Sequence, residues 1–195
     1  MIICLIGDSL TEGDYGVPGK SGIANVHKEN YPYFLARATG AEVRNFGKCG
    51  WRSSDMLKWF KEGGLDLKGA DKIVIMLGAN GGQARNGDTP DNLAYKELVE
   101  GVRKAAPEAE VYLATSPNAT VNPAYSNCGY MPQVTEAACF VRKYAEETGL
   151  PLIDLFRNPK FSPASEWRYQ PNDGLHFTEE GYRVLAGEIQ KAIGL

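Results

Sequence analysis

Ile2-Ile3-Cys4-Leu5-Ile6-Gly7-Asp8-Ser9-Leu10-Thr11-Glu12-Gly13 is the stretch whose reading decides the fold. Its first five residues are apolar and mostly branched, and they stop at a glycine, which is the signature of a short buried strand. The same signature recurs at Val43 to Phe46, Ile73 to Leu77, Val111 to Ala114 and Leu152 to Leu155. Helical periodicity fills the intervals. The clearest case places Tyr182, Leu185, Ala186, Ile189 and Ile193 on one face, behind Thr178 as cap and Glu179 and Glu180 in the first turn. A second helix begins at Thr89 with Pro90 in the first helical position and stops near Pro107, and a third runs from about Pro132 to Thr148. Weaker helical patterns cover Tyr33 to Ala38 and Ser54 to Lys61. Strands alternating with helices, with no tight hairpin between neighbouring strands, predict a doubly wound α/β domain. Its sheet would be parallel and five-stranded, with helices on both faces.

The composition restricts the partners. The chain has 195 residues, enough for one α/β domain with its own core, and 21 basic against 24 acidic side chains. No basic run offers a footprint for nucleic acid. The apolar N-terminus is too short for a signal peptide or a membrane span and reads as a first strand, so a cytoplasmic protein is expected. Cys4, Cys49, Cys128 and Cys139 show neither C-x-x-C spacing nor paired histidines, so no metal is expected and reduced thiols are the simpler reading. No cofactor is expected either, because neither G-x-G-x-x-G nor a Walker motif follows a strand.

In a doubly wound sheet, ligands gather beyond the carboxyl ends of the strands, so the residues that follow strands carry the functional reading. Ser9 directly follows the first strand, where a helix start could present backbone N–H groups. Alone, Asp8 and Ser9 would be ordinary turn or cap residues. A serine hydroxyl needs a base within hydrogen-bond reach, itself oriented by a third group. The chain has two histidines. His176 lies in Pro171-Asn172-Asp173-Gly174-Leu175-His176-Phe177, where the spacing can bring the Asp173 carboxylate to the imidazole Nδ1 and leave Nε2 facing Ser9. His27 has no such neighbour and reads as a solvated surface residue. Two further loops leave strands on the same edge, Asn45-Phe46-Gly47-Lys48-Cys49-Gly50 and Gly78-Ala79-Asn80-Gly81-Gly82. The N–H groups of Ser9 and Gly47 with the Asn80 amide could form a three-donor oxyanion hole, although each glycine cluster alone would be a turn.

Residues 5–13, 45–50, 78–80 and 173–176 resemble, in order, the sequence blocks of the SGNH (GDSL-type) hydrolase family. The resemblance implies a flavodoxin-like, three-layer α/β/α fold and ester hydrolysis through an acyl-enzyme. Ser9 would be nucleophile and first oxyanion donor, Gly47 and Asn80 the other donors, His176 the base and Asp173 its orienting partner. One departure stands out. The third block is usually Gly-x-Asn-Asp, and here Asn80 is followed by Gly81.

Substrate choice must come from the loops. Asp8, Trp51 and Arg52 are the candidate substrate contacts, and the segments 14–30, 83–88, 116–131 and 159–171 hold tyrosines, asparagines, Arg85 and Trp167. Such side chains suit a polar ring better than a long acyl tunnel, and equally suit plain surface turns. Lys48 and Arg52 would favour an anionic sugar. A deacetylase of carbohydrates or other small polar acetyl esters is therefore expected. A lysophospholipase- or thioesterase-type lipolytic esterase and a non-catalytic flavodoxin-like binding module are the alternatives.

Overall fold

The computed structural model describes residues 1–20 and 22–195. Five parallel strands form one sheet: β1 (Ile2–Gly7), β2 (Glu42–Gly47), β3 (Lys72–Met76), β4 (Glu110–Ala114) and β5 (Leu152–Ile153). Their order is β2-β1-β3-β4-β5, so the winding reverses at β1. The crevice beyond Gly7, between β1 and β3, is where such a sheet binds ligands.

Period-two alternation divides each central strand between two cores. Ile3, Leu5, Val74 and Met76 pack on one face with α2 (Tyr31–Thr39) and α7 (Glu179–Ala192). Cys4, Ile6, Ile73 and Ile75 pack on the other with α3 (Ser53–Lys61), α4 (Pro90–Ala105) and most of α5 (Met131–Thr148). This is the three-layer arrangement expected from the sequence. The helices begin where their caps dictate: Asn30 accepts from Tyr33 N, Thr89 from Asn92 N and Thr178 from Gly181 N.

Two strands differ from expectation. The apolar run at 152–155 pairs over only two residues, because Leu155 N turns back to Ile153 O at 3.0 Å and Phe156 N is captured by Thr115 Oγ1 at 2.9 Å. β2 is an edge strand and mostly half-buried, so its apolar run marks one covered face instead of two. Short helices at α1 (Ser9–Glu12) and α6 (Glu166–Tyr169) complete the chain.

Candidate active site

Everything at the crevice is arranged around the exit of β1. Gly7 is confined there: a Cβ on it would lie 2.1 Å from Thr11 Oγ1 and 2.7 Å from Met76 O, so only glycine lets the chain turn this tightly into α1. Asp8 caps the turn. It is fully buried, its Oδ1 accepts from Leu10 N at 3.1 Å, and its Oδ2 accepts from Ala79 N at 3.2 Å in the loop after β3. Burial pushes its carboxyl up to about 6, against the lowering effect of those amides and of His176. Asp8 is thus no substrate contact, as the sequence reading had it; it fastens the Ser9 turn to the loop that carries Asn80.

Ser9 Oγ stands 2.8 Å from His176 Nε2, and His176 Nδ1 stands 2.6 Å from Asp173 Oδ2. Asp173 Oδ1 accepts from the amides of Leu175 and His176, each at 2.9 Å. Burial works against the charged carboxylate, but the bonds and charge from His176 and these amides outweigh it and hold Asp173 below the ordinary aspartate range. An ionised carboxylate only accepts, so Nδ1 carries the proton and Nε2 offers its lone pair to the serine hydroxyl. Burial alone would lower the pKa of His176; Asp173 beside it, with Asp14 and Asp8 behind, raises it instead. Two glycines permit this packing. Gly174 (φ +80°) has Thr120 Cγ2 2.1 Å from where a Cβ would be, and Gly16 (φ +62°) lies directly against the Asp173 carboxylate.

The loop after β2 departs from the sequence reading. Gly47 N–H donates to Asn45 Oδ1 at 2.8 Å, and the residue is pressed against α1, with Glu12 N 2.1 Å from a would-be Cβ. Its amide is therefore spent inside the turn and does not face a substrate. Three residues later, Gly50 (φ +76°) is exposed and its N–H has no hydrogen-bond partner among the described residues. The Gly50-Trp51 turn is docked onto the neighbouring loop: Asn80 Nδ2 donates to Trp51 O at 2.9 Å, and Arg52 Nε donates to Asn80 O at 3.0 Å. One Asn80 amide proton fixes the side chain's direction, and the second is left over. Trp51 is half-buried, edge-on to Trp59 at 5.5 Å, and anchors the turn in the core below. Lys48 extends over the Trp59 ring at 5.2 Å, and the Arg52 side chain stays partly exposed above Asn80.

A sequence profile of the GDSL-like lipase/acylhydrolase family matches residues 5–184. The chain belongs to that family. Its activity class is accordingly carboxylic ester hydrolysis. Among curated proteins no sequence match is found. Solved structures of the same fold include a lipase/acylhydrolase from Enterococcus faecalis (24% identity, TM-score 0.73, covering 98% of this chain and 94% of that one). A Mycobacterium smegmatis aryl esterase (21%, 0.72, 98% and 99%) and Est24, a carbohydrate acetylesterase from Sinorhizobium meliloti (16%, 0.76, 98% and 97%), share it as well.

Where family members usually carry an aspartate after the asparagine, this GDSL-type chain fills the space from a helix. Gln133 of α5 donates from Nε2 to Ala79 O at 2.8 Å, and its Oε1 would lie 2.8 Å from a Cβ on Gly81 (φ +73°). Asp91 of α4 occupies the space beside Gly82 and accepts from Ser54 N and Ser54 Oγ at 3.0 and 2.9 Å. Side chains from two helices thus brace the loop.

Besides Gln133 and Asp91, one more residue was not singled out from the sequence. Asp14, 6% exposed, places Oδ2 3.9 Å from His176 Nε2, on the side facing away from Asp173. Its place just after Gly13, at the end of the nucleophile block, was the signal available. His27 is not a free surface histidine: it stacks on Tyr15 with ring centroids 3.9 Å apart. Among the described residues no group of His, Cys, Asp and Glu is arranged to hold a metal ion, all four cysteines are free thiols, and no helix is long and apolar enough to cross a membrane.

Proposed function

We propose that the chain hydrolyses small acyl esters, acetyl esters of polar alcohols above all, through an acyl-enzyme on Ser9. The observation that carries this reading is the relay from Ser9 Oγ through His176 to Asp173, with separations of 2.8 and 2.6 Å. His176 Nε2 takes the hydroxyl proton as Oγ attacks the ester carbonyl, and Asp173 stabilises the imidazolium that results. The oxyanion is met by Ser9 N–H, the second Asn80 amide proton and Gly50 N–H, which takes the role first given to Gly47. Protonated His176 then hands its proton to the departing alkoxide. Water, activated by the same imidazole, clears the acyl group.

Polarity beside the base supports a polar alcohol. The cleft next to His176, about 550 Å³, has a mixed lining, with Asp14, Asn127 and Asn172 beside Val17, Pro18 and Ala124. A long acyl tunnel would need a lining without these carboxylate and amide groups. Rates on nitrophenyl acetate and nitrophenyl octanoate test the reading, with Ser9→Ala as control. Acetate should be preferred, and Ser9→Ala should lose several orders of magnitude in kcat, leaving only the effects of binding and the oxyanion hole. A marked preference for octanoate would replace the deacetylase by a lipolytic esterase. Full activity in a folded Ser9→Ala protein would remove the nucleophile.

A further inference from the structure

Asp14 Oδ1 already accepts from Gly16 N at 2.7 Å, whereas Oδ2 has only the Cys49 thiol at 3.6 Å and the His176 ring at 3.9 Å. A thiol is a weak donor, and 3.9 Å is too long for a hydrogen bond. A carboxylate oxygen inside the fold without a strong donor is uncommon and costly, and it invites one from a ligand. Asp14 lines the same cleft as His176, bordered by Asn127 and Asn172.

We propose that Asp14 selects the leaving alcohol: its Oδ2 accepts a hydrogen bond from a hydroxyl on the carbon adjacent to the one that bears the ester oxygen, so the cleft is a subsite for esters of vicinal diols, as in sugars and glycerol. This rests on the reading of Ser9 and His176 as nucleophile and base. When the acyl C–O bond breaks, the electron pair stays on the alcohol oxygen and the proton on Nε2 passes to it, which requires that oxygen within hydrogen-bond reach of Nε2. The adjacent hydroxyl of a diol is one hydrogen-bond length from the ester oxygen. With Oδ2 only 3.9 Å from Nε2, the two oxygens of one diol can face His176 and Asp14 together. An alcohol without that hydroxyl leaves Oδ2 unmatched.

The test compares 2-hydroxyethyl acetate with n-propyl acetate, similar in shape, and with 2-methoxyethyl acetate, which keeps the oxygen but not the donor. Wild type should favour the hydroxyethyl ester in kcat/KM by about tenfold or more over both, the size expected of a hydrogen bond to a charged acceptor. In Asp14→Ala that ratio should collapse to within about twofold. Asp14→Asn, which can still cap Gly16, should give an intermediate ratio and covers the case in which Asp14→Ala does not fold. Equal rates on the three esters in wild type, or an unchanged ratio in either folded variant, would overturn the proposal. The same holds if Asp14 acts only through His176, since every ester would then slow alike. The Ser9 reading would survive each of these results. No turnover of any ester by folded wild type would bring down that reading, and this proposal with it.

Discussion

Gly47 and Gly50 lie three residues apart in one loop and should tolerate alanine to different degrees. At Gly47 the new Cβ would meet Glu12 N at 2.1 Å, the Thr11 carbonyl carbon at 2.5 Å and Glu12 Cα at 2.6 Å, all of them backbone. Ordinary carbon contacts need about 3.5 Å or more, so either β2 or the α1 turn has to move by roughly an ångström. No flexible side chain can absorb it. Overpacking costs about 1–3 kcal/mol, and a clash with three backbone atoms belongs at the upper end. For a chain of this size, about 3 kcal/mol lowers Tm by about 6–12 °C. Ser9 heads the same turn, so its 2.8 Å approach to His176 is lost with it. A displacement near 1 Å at a reacting group can cost about 10²-fold in rate. Gly50→Ala meets nothing within 4 Å and carries only the strain of φ +76°, about 1–2 kcal/mol. Differential scanning calorimetry and nitrophenyl acetate hydrolysis read both effects. If Gly47→Ala melts within about 2 °C of wild type and turns over normally, Gly47 is not wedged against the nucleophile turn, and Gly50 has no advantage over it as an oxyanion donor.

Three further outcomes follow from the same geometry. His176 must be neutral to act as base, and the Asp173 and Asp14 charges stabilise its protonated form, so the acid limb of kcat/KM should lie above the ordinary histidine value of 6.5, with activity lost as pH falls through it. Asp173→Asn should cut kcat on the order of 10⁴-fold, as loss of the orienting carboxylate does in other triads, and move the residual acid limb to lower pH; a limb that stays in place would exclude Asp173 as the source of the shift. Restoring the family's usual aspartate by Gly81→Asp should harm the protein, because φ is +73° and Gln133 Oε1 is 2.8 Å from the new Cβ. A Tm loss of about 2–8 °C is expected from about 1–2 kcal/mol, and a gain in Tm or in rate would show that the loop can adopt the family's usual arrangement.

The sheet, its parallel sense and the main helices were legible because buried strands, capped helix starts and i, i+3, i+4 faces are local patterns. The Ser9, Asp173 and His176 set was legible for another reason: the blocks sit at strand exits, and a doubly wound sheet brings strand exits together. What failed was the reading of which amide in a glycine-rich loop is free. Gly47 and Gly50 look alike in sequence, and only the Asn45 side chain folding back onto Gly47 N–H separates them. Asp8 misled similarly, since a carboxylate beside a nucleophile can face a ligand or a cap, and burial decides. Gln133 was out of reach because it comes to the Asn80 loop from a helix far along the chain, and Asp91 because only the packing of α4 turns its first residues back onto that loop. The length of β5 depended on Thr115 Oγ1 capturing Phe156 N, a tertiary contact invisible in the apolar run itself.

An activated serine at position 9 is tested most directly by intact-mass measurement after treatment with an organophosphorus fluoride. Wild type should gain one adduct per chain, located on Ser9, and Ser9→Ala and His176→Ala should gain none on the same timescale. Folded wild type that stays unlabelled, or a Ser9→Ala protein that still takes the label at the crevice, would contradict it.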